Sequence, residues 1–340
     1  MTVRCGDTLL FQTLPVIAAG AAVGGKKESE GPLAAEFDEL SADNRFGQSS
    51  WEAAEKYLQL RAARLCLQKA ALPQEKVQLA LAGDLQAQCT ASSYAMRELG
   101  VPFAGLFGAC STMAEALGLG AALCSAGLAD GLLAMASSHF CTAERQFRTP
   151  LSYGAVRTPT AQWTATAAGA CLLRPAGQGV GIRAVTFGRV QDYQIRDINN
   201  MGAAMAPAAS ATLLHYLRDT HAEPPDFDAI YTGDLGHVGS QLFRELLAAE
   251  GLLIKNHVDC GCILYDASEQ AVKSGGSGAG CCAAVLCAHI LPRLERGTQK
   301  RVLFLATGAL MSQTTFLQKE SIPAVAHLVE LTAPEKGAAS

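Results

Sequence analysis

Gly108-Ala-Cys-Ser-Thr-Met-Ala-Glu115 places one cysteine, Cys110, at the mouth of a helix. Thr112 and Glu115 stand three apart, the spacing of a capping box, and small and apolar residues follow as far as Ala126. A thiol just before a helix N-terminus faces unpaired backbone N–H groups and the positive end of the helix dipole, which favour a thiolate or a bound anion. The stretch therefore reads in two ways. It presents a cysteine nucleophile, or it cradles a carboxylate in a protein that does no chemistry.

The same pattern recurs further along the chain. Gly278-Ala-Gly-Cys-Cys282 opens a second alanine-rich helix, Tyr231-Thr-Gly-Asp-Leu235 echoes Leu81-Ala-Gly-Asp-Leu85, and Val302-Leu-Phe-Leu-Ala-Thr-Gly308 echoes Leu132-Leu-Ala-Met-Ala-Ser-Ser138. The offsets are 150 residues for the Gly-Asp turns and 170 for the other two, as in a duplication with insertions. Ser49-Ser-Trp-Glu52 reads as a second capping box, opening an amphipathic helix to about Ala70, and the apolar runs 77–83 and 227–232 read as strands. Residues 24–50 read as a loop excursion, and 332–340 as a small, polar, disordered tail.

Alternating helices and continuously apolar strands predict mostly parallel sheets covered on both faces. Two such halves, 1–180 and 181–331, would stack into a five-layered α/β/α/β/α body. Its two innermost helices need small side chains, and those after 110 and 281 have them.

Composition narrows the function. At 340 residues with 49% hydrophobic and 17% charged side chains, much of the chain is interior or interface. The net charge of −4 and the lack of a Lys/Arg-rich run exclude nucleic acid as a partner. The 12 cysteines sit in apolar or Gly/Ala-rich segments behind no signal peptide, as buried thiols of a reducing compartment do. Cys260-Gly-Cys262 and Cys281-Cys282 lack the spacer of a zinc-ligand pair. The run 116–136 is long enough to span a bilayer and carries one charge, Asp130, but glycines at 118, 120, 127 and 131 break it into a helix, a turn and a strand.

Duplicated halves with a cysteine at the first central helix resemble the thiolase fold. Gly108-Ala-Cys-Ser-Thr112, Ser137-Ser-His139, Ala143-Glu-Arg-Gln-Phe-Arg148, Asn200-Met-Gly-Ala-Ala-Met-Ala-Pro-Ala-Ala209, Thr232-Gly-Asp-Leu-Gly236 and Gly275-Gly-Ser-Gly278 together resemble the stage V sporulation protein AD family. That resemblance implies a thiolase-like body that binds dipicolinic acid, pyridine-2,6-dicarboxylate, and works with membrane-embedded partner proteins to load it into the developing spore. It implies no cofactor, a homodimer, and a place in the cytoplasm or forespore, peripheral at the spore inner membrane through those partners.

Acyl transfer by Cys110 would need a base and an oxyanion hole from the second-half loops. Those loops offer Asp234, Ser277 and Thr307-Gly-Ala-Leu310, with no histidine or asparagine; His237 begins the following helix. A flat aromatic dianion instead needs donors at two ends and an apolar wall between. Cys110, Ser111 and Thr112 supply one end, Arg145, Arg148 and Arg157 with His139 the other, and Phe140, Phe147 and Tyr153 the wall. Ser138, Asp234 and Ser277 complete the candidate set, with Asp234 a contact for calcium if the ligand arrives as its chelate. Asp84 and Asp234, at equivalent turns, read first as caps of the helices that follow. Met201 and Met205, four apart, read as core or interface. Three functions remain open: a non-catalytic binding subunit, a degenerate acyltransferase using Cys110, and a scaffold with a vestigial pocket.

Overall fold

The computed structural model describes residues 2–147 and 157–334. Ten strands form the cores of two sheets of identical plan, to which the short strands Thr2–Cys5, Thr8–Phe11 and Glu39–Leu40 add. The first half contributes β1 (Val16–Gly24), β2 (Leu79–Gly83), β3 (Phe103–Gly105), β4 (Leu132–Ser138) and β5 (Ala167–Arg174). The second contributes β6 (Val180–Phe187), β7 (Ala229–Thr232), β8 (His257–Asp259), β9 (Arg301–Ala309) and β10 (Ala324–Thr332). Strand order is β3-β2-β4-β5-β1 in one sheet and β8-β7-β9-β10-β6 in the other. The sheets join where β1 and β6 pair antiparallel at Val16–Gly181 and Ile17–Val180. Identical strand order, with the echoed motifs at equivalent places, is the duplication in three dimensions.

The sheets are mixed rather than mostly parallel. In each half two pairings are parallel (β2 with β3 and β4; β7 with β8 and β9). The other two are antiparallel (β5 with β4 and β1; β10 with β9 and β6). The apolar runs arise because helices cover both faces, which buries a strand whichever way its neighbour points.

Outer helices α1 (Trp51–Lys69) and α2 (Thr90–Leu99) pack Leu58, Cys66 and Met96 on the first sheet. Between the sheets lies α3 (Thr112–Ser125), while α4 (Phe140–Phe147) follows β4 at the rim. On the second sheet's outer face, α5 (Met201–Thr220) and α6 (Gly236–Ala249) bury Met205, Tyr216 and Phe243. The partner of α3 in the centre is α7 (Ala279–Val285), continued through a π turn to Glu295. The layers are thus α/β/α/β/α. Small residues are a steric necessity at the centre: a Cβ on Gly280 would lie 2.0 Å from the Ala167 carbonyl oxygen. The run 116–136 is the end of α3, a turn and β4, and no helix among the described residues is long and apolar enough to cross a membrane.

Both predicted capping boxes fail. The N-cap of α1 is Ser50, accepting from the Ala53 N–H, one residue later than the box spacing. Before α3 the chain makes a 3-10 turn, Ala109–Ser111, and Thr112 Oγ1 donates back to the Ala109 carbonyl at 2.7 Å. Glu115 turns instead toward Gly108, where a Cβ would stand 2.6 Å from its Oε2. The excursion 24–50 holds a helical turn, a 3-10 turn and a two-residue strand. Of the predicted tail, Thr332 ends β10 and 335–340 lie outside the described residues.

Candidate functional site

Strand ends from both halves converge on one cavity of about 770 Å³. Cys110 lies in its wall on the turn into α3, directly after Ala109, whose φ of +51° is the left-handed conformation of a sharp turn. That turn presses on β9: a Cβ on Gly308 would stand 2.3 Å from the Gly108 carbonyl oxygen, so glycine is required there. The opposite wall comes from a short parallel pairing across the halves, Trp163–Thr164 with Gly276–Ser277. It holds Ser277 Oγ 3.8 Å from Cys110 Sγ. Met201 and Met205 line the cavity, not only core, and the end of β9 supplies Ala309 to Ser312.

Asp234 sits directly behind this wall. Its Oδ2 accepts from Ser277 Oγ at 2.7 Å and the Gly278 N–H at 3.1 Å, and its Oδ1 from Thr307 Oγ1 at 2.7 Å. Burial pushes its carboxyl up to about 6, against the lowering effect of those donors. The predicted capping of α6 by Asp234 does not occur. Asp259, at the end of β8, takes the Leu235 and Gly236 N–H groups instead. Asp84 keeps the capping role in its half, accepting from the Ser92 N–H at 2.8 Å. With both oxygens of Asp234 engaged, the expected calcium contact there would require those donors to turn away. No three His, Cys, Asp or Glu side chains among the described residues are grouped to hold a metal ion.

The electrostatics reverse the expectation for Cys110. Burial first, and the neighbouring Asp234 carboxylate second, hold the thiol well above its ordinary value. A helix end favours an anion only when its N–H groups are free and no carboxylate stands beside it. Here Ser111 Oγ donates to the Gly108 carbonyl at 2.7 Å, and both Ser111 and Thr112 are buried off the cavity. Of the predicted anion cradle at 110–112, only Cys110 reaches the cavity wall.

The remaining candidates divide. Phe147 lines the cavity with Glu144, its neighbour three residues back on α4. Arg145 faces the other way and pairs with Glu52 at 2.5 Å, half exposed and off the cavity wall. Arg148 and Tyr153 lie outside the described residues. His139 is a buried strand-end residue, its Nε2 2.9 Å from the Asn44 carbonyl and its Nδ1 accepting from the Cys141 N–H. Ser138 Oγ donates to the Ala165 carbonyl and accepts from the Gly280 N–H, joining β4 to α7. Phe140 stacks on Trp163 with centroids 3.9 Å apart. His237 is exposed on α6, with Nδ1 3.5 Å from Cys262 Sγ and outside the cavity lining.

Arg157 is the cation of the cavity wall among the described residues. It forms an ion pair with Glu144, donates to the Gln162 carbonyl at 2.8 Å, and lies 5.1 Å from the Trp163 ring centre. Gln162 was not signalled by any motif, yet it lines the cavity and bridges Asp234 and Gly276 through their carbonyls.

Residues 5–332 match the family Stage V sporulation protein AD. Over 322 residues the sequence is 40% identical to Stage V sporulation protein AD of Bacillus subtilis (strain 168), covering 94% of this chain and 95% of that protein. The chain belongs to the stage V sporulation protein AD family. Its fold is thiolase-like. It is similar to a single-substitution variant of OleA of Xanthomonas campestris, with a TM-score of 0.60, 14% identity, and coverage of 95% of this chain and 99% of that one. It is also similar to 3-oxoacyl-[acyl-carrier-protein] synthase III of Aquifex aeolicus VF5, with a TM-score of 0.56, 12% identity, and coverage of 94% and 99%. In this sporulation protein a cavity lies beside the central-helix cysteine, with a buried carboxylate, Asp234, facing the thiol through Ser277.

Proposed function

We propose that the chain binds dipicolinic acid, free or as its calcium chelate, without chemical conversion, as the membrane-peripheral subunit of a sporulation transport assembly. The observation that carries this reading is the pairing of Cys110 with Asp234 across Ser277 at the cavity wall. An acyl-transfer thiol needs a base that removes its proton and a site that welcomes negative charge. A buried carboxylate beside the thiol works against the second, because it makes the thiolate costly. The cavity falls in the size range of small-molecule sites, and its wall combines aromatic and apolar side chains with one guanidinium, Arg157, paired with Glu144. Arg157 is suited to one carboxylate of the ligand.

Titration of the purified protein with dipicolinate, with and without calcium, tests this. Binding that weakens in Arg157→Ala supports it; no binding to demonstrably folded protein sinks it. The acyltransferase reading draws on the fold it shares with an acyl-carrier-protein synthase. It predicts a Cys110 adduct by mass spectrometry after incubation with acyl-CoA. For assembly, we propose a homodimer across the edge strand β3, beside which Phe107 is 55% exposed. Membrane-embedded partners and a position at the spore inner membrane belong to the same proposal.

A further inference from the structure

The wall between Gln162 and Cys110 has a polarity opposite to that of an anion site. Gln162 Nε2 faces two acceptors, the carbonyl oxygens of Asp234 and Gly276, the latter at 3.1 Å. That fixes the amide orientation, because a flipped amide would set oxygen against oxygen. Gln162 Oε1 is then a buried acceptor without a hydrogen-bond partner among the described residues, on a side chain that lines the cavity. An unmet buried acceptor is costly, so a donor that reaches it gains correspondingly. Beside it, Ser277 Oγ gives its proton to Asp234 Oδ2 and so presents only lone pairs toward Cys110 Sγ, 3.8 Å away at the cavity wall. Behind both stands the Asp234 carboxylate, flanked by the thiols of Cys110, Cys260, Cys281 and Cys282, with no cationic side chain in that group.

From this geometry we infer that Gln162 and Ser277, backed by Asp234, form a hydrogen-bond-accepting subsite that takes an O–H or N–H group of a ligand and rejects a carboxylate. The inference rests on the reading of this cavity as a ligand site and gives that ligand a direction. Its carboxylate meets Arg157, and its donor meets Gln162. For an aromatic dicarboxylic acid this means that one carboxyl binds in its protonated form, which selects the free acid over its calcium chelate. A monoamide of the same acid, with an N–H donor in place of the second carboxylate, fits the subsite without a proton.

Two measurements test this. In the first, the protein is alkylated separately with iodoacetamide and iodoacetate, which carry an N–H donor and a carboxylate on otherwise similar reagents. The rate ratio at Cys110, read by peptide mass spectrometry and normalised to glutathione, should favour the amide by about tenfold or more. A normalised ratio near one overturns the inference. In the second, calorimetry compares pyridine-2,6-dicarboxylate with 6-carbamoylpyridine-2-carboxylate at pH 8. The monoamide should bind about tenfold more tightly, and Gln162→Leu should erase that advantage. Tighter binding of the dicarboxylate to the unaltered protein counts against the subsite. If neither pyridine ligand binds, the dipicolinate reading fails, while the alkylation ratio still decides the polarity of the wall.

Discussion

Replacing Asp234 with asparagine should awaken Cys110. The side chain keeps its shape and an oxygen for its donors, so the main loss is one negative charge behind Ser277. Cys110 Sγ lies 3.8 Å from Ser277 Oγ, which lies 2.7 Å from Asp234 Oδ2, so thiol and carboxylate are at most about 6.5 Å apart. At an effective dielectric of about 20, two unit charges at that separation repel by ~2.5 kcal/mol, or ~2 pK units. Any closer approach makes the effect larger. Asp234 titrates near 6 and is ionised at pH 8, so the full charge is removed there. Asp234→Asn should therefore raise the thiolate fraction of Cys110 at pH 8 by about a hundredfold, and its alkylation rate by iodoacetamide by about tenfold, since a less basic thiolate is a weaker nucleophile. The thiol of the variant stays above its ordinary value, because burial is the larger cause of its shift. The assay is a pH–rate profile from pH 7 to 10 with peptide mapping to isolate Cys110 from the other cysteines. Profiles within about threefold of one another, in variants of matching circular dichroism, would refute the claim that Asp234 silences the thiol.

Three further outcomes are expected. Arg157→Met should weaken dicarboxylate binding by about tenfold or more in calorimetry, the worth of a charge-assisted hydrogen bond, with the fold retained. Gly280→Ala should abolish folding or cost more than about 3 kcal/mol in chemical denaturation, because the new Cβ meets the Ala167 carbonyl at 2.0 Å and neither backbone can yield. Glu55, buried on α1 against the end of β4, accepts from Gln86 Nε2 and Thr142 Oγ1, and burial, followed by Asp84, raises its carboxyl from 4.5 to about 8. The folded state thus binds this proton more tightly than the unfolded chain. Its contribution to stability is complete below about pH 4.5 and is lost as pH rises toward 8. Denaturation midpoints should fall less over that window in Glu55→Gln than in the unaltered protein; equal slopes would show that Glu55 is not the group responsible.

The sequence carried the architecture because the duplication is written twice. Gly83-Asp84 and Gly233-Asp234 end equivalent strands, and the glycine-rich starts of α3 and α7 are where two helices press between two sheets. It misled on strand direction, since burial on both faces looks alike in parallel and antiparallel strands. The site was only half legible. Cys110, Phe147, Ser277 and Arg157 converge on the cavity, whereas Arg145, one residue from Glu144, points to α1 because α4 shows the cavity only one side. Gln162 carries no motif. Its importance comes from carbonyls 72 and 114 residues away, a relation that exists only after the halves have docked. Glu55 likewise sits in a helix whose pattern looks amphipathic, and only the strand ends beneath it explain its burial.

The duplication also explains how a body of this kind comes to place a carboxylate against its own cysteine. In the first half, Asp84 holds the start of α2, taking the N–H groups of Gln86 and Ser92. In the second half the equivalent duty has moved one strand over, to Asp259, which takes the N–H groups of Leu235 and Gly236 and the hydroxyl of Thr232. With α6 already held, Asp234 has no capping partner to satisfy and turns inward, where Ser277, Gly278 and Thr307 supply donors. Those donors make its burial tolerable, and its burial makes the thiolate beside it costly. The raised thiol at Cys110 therefore requires no change at the cysteine itself. It follows from which aspartate caps the helix in the other half of the molecule.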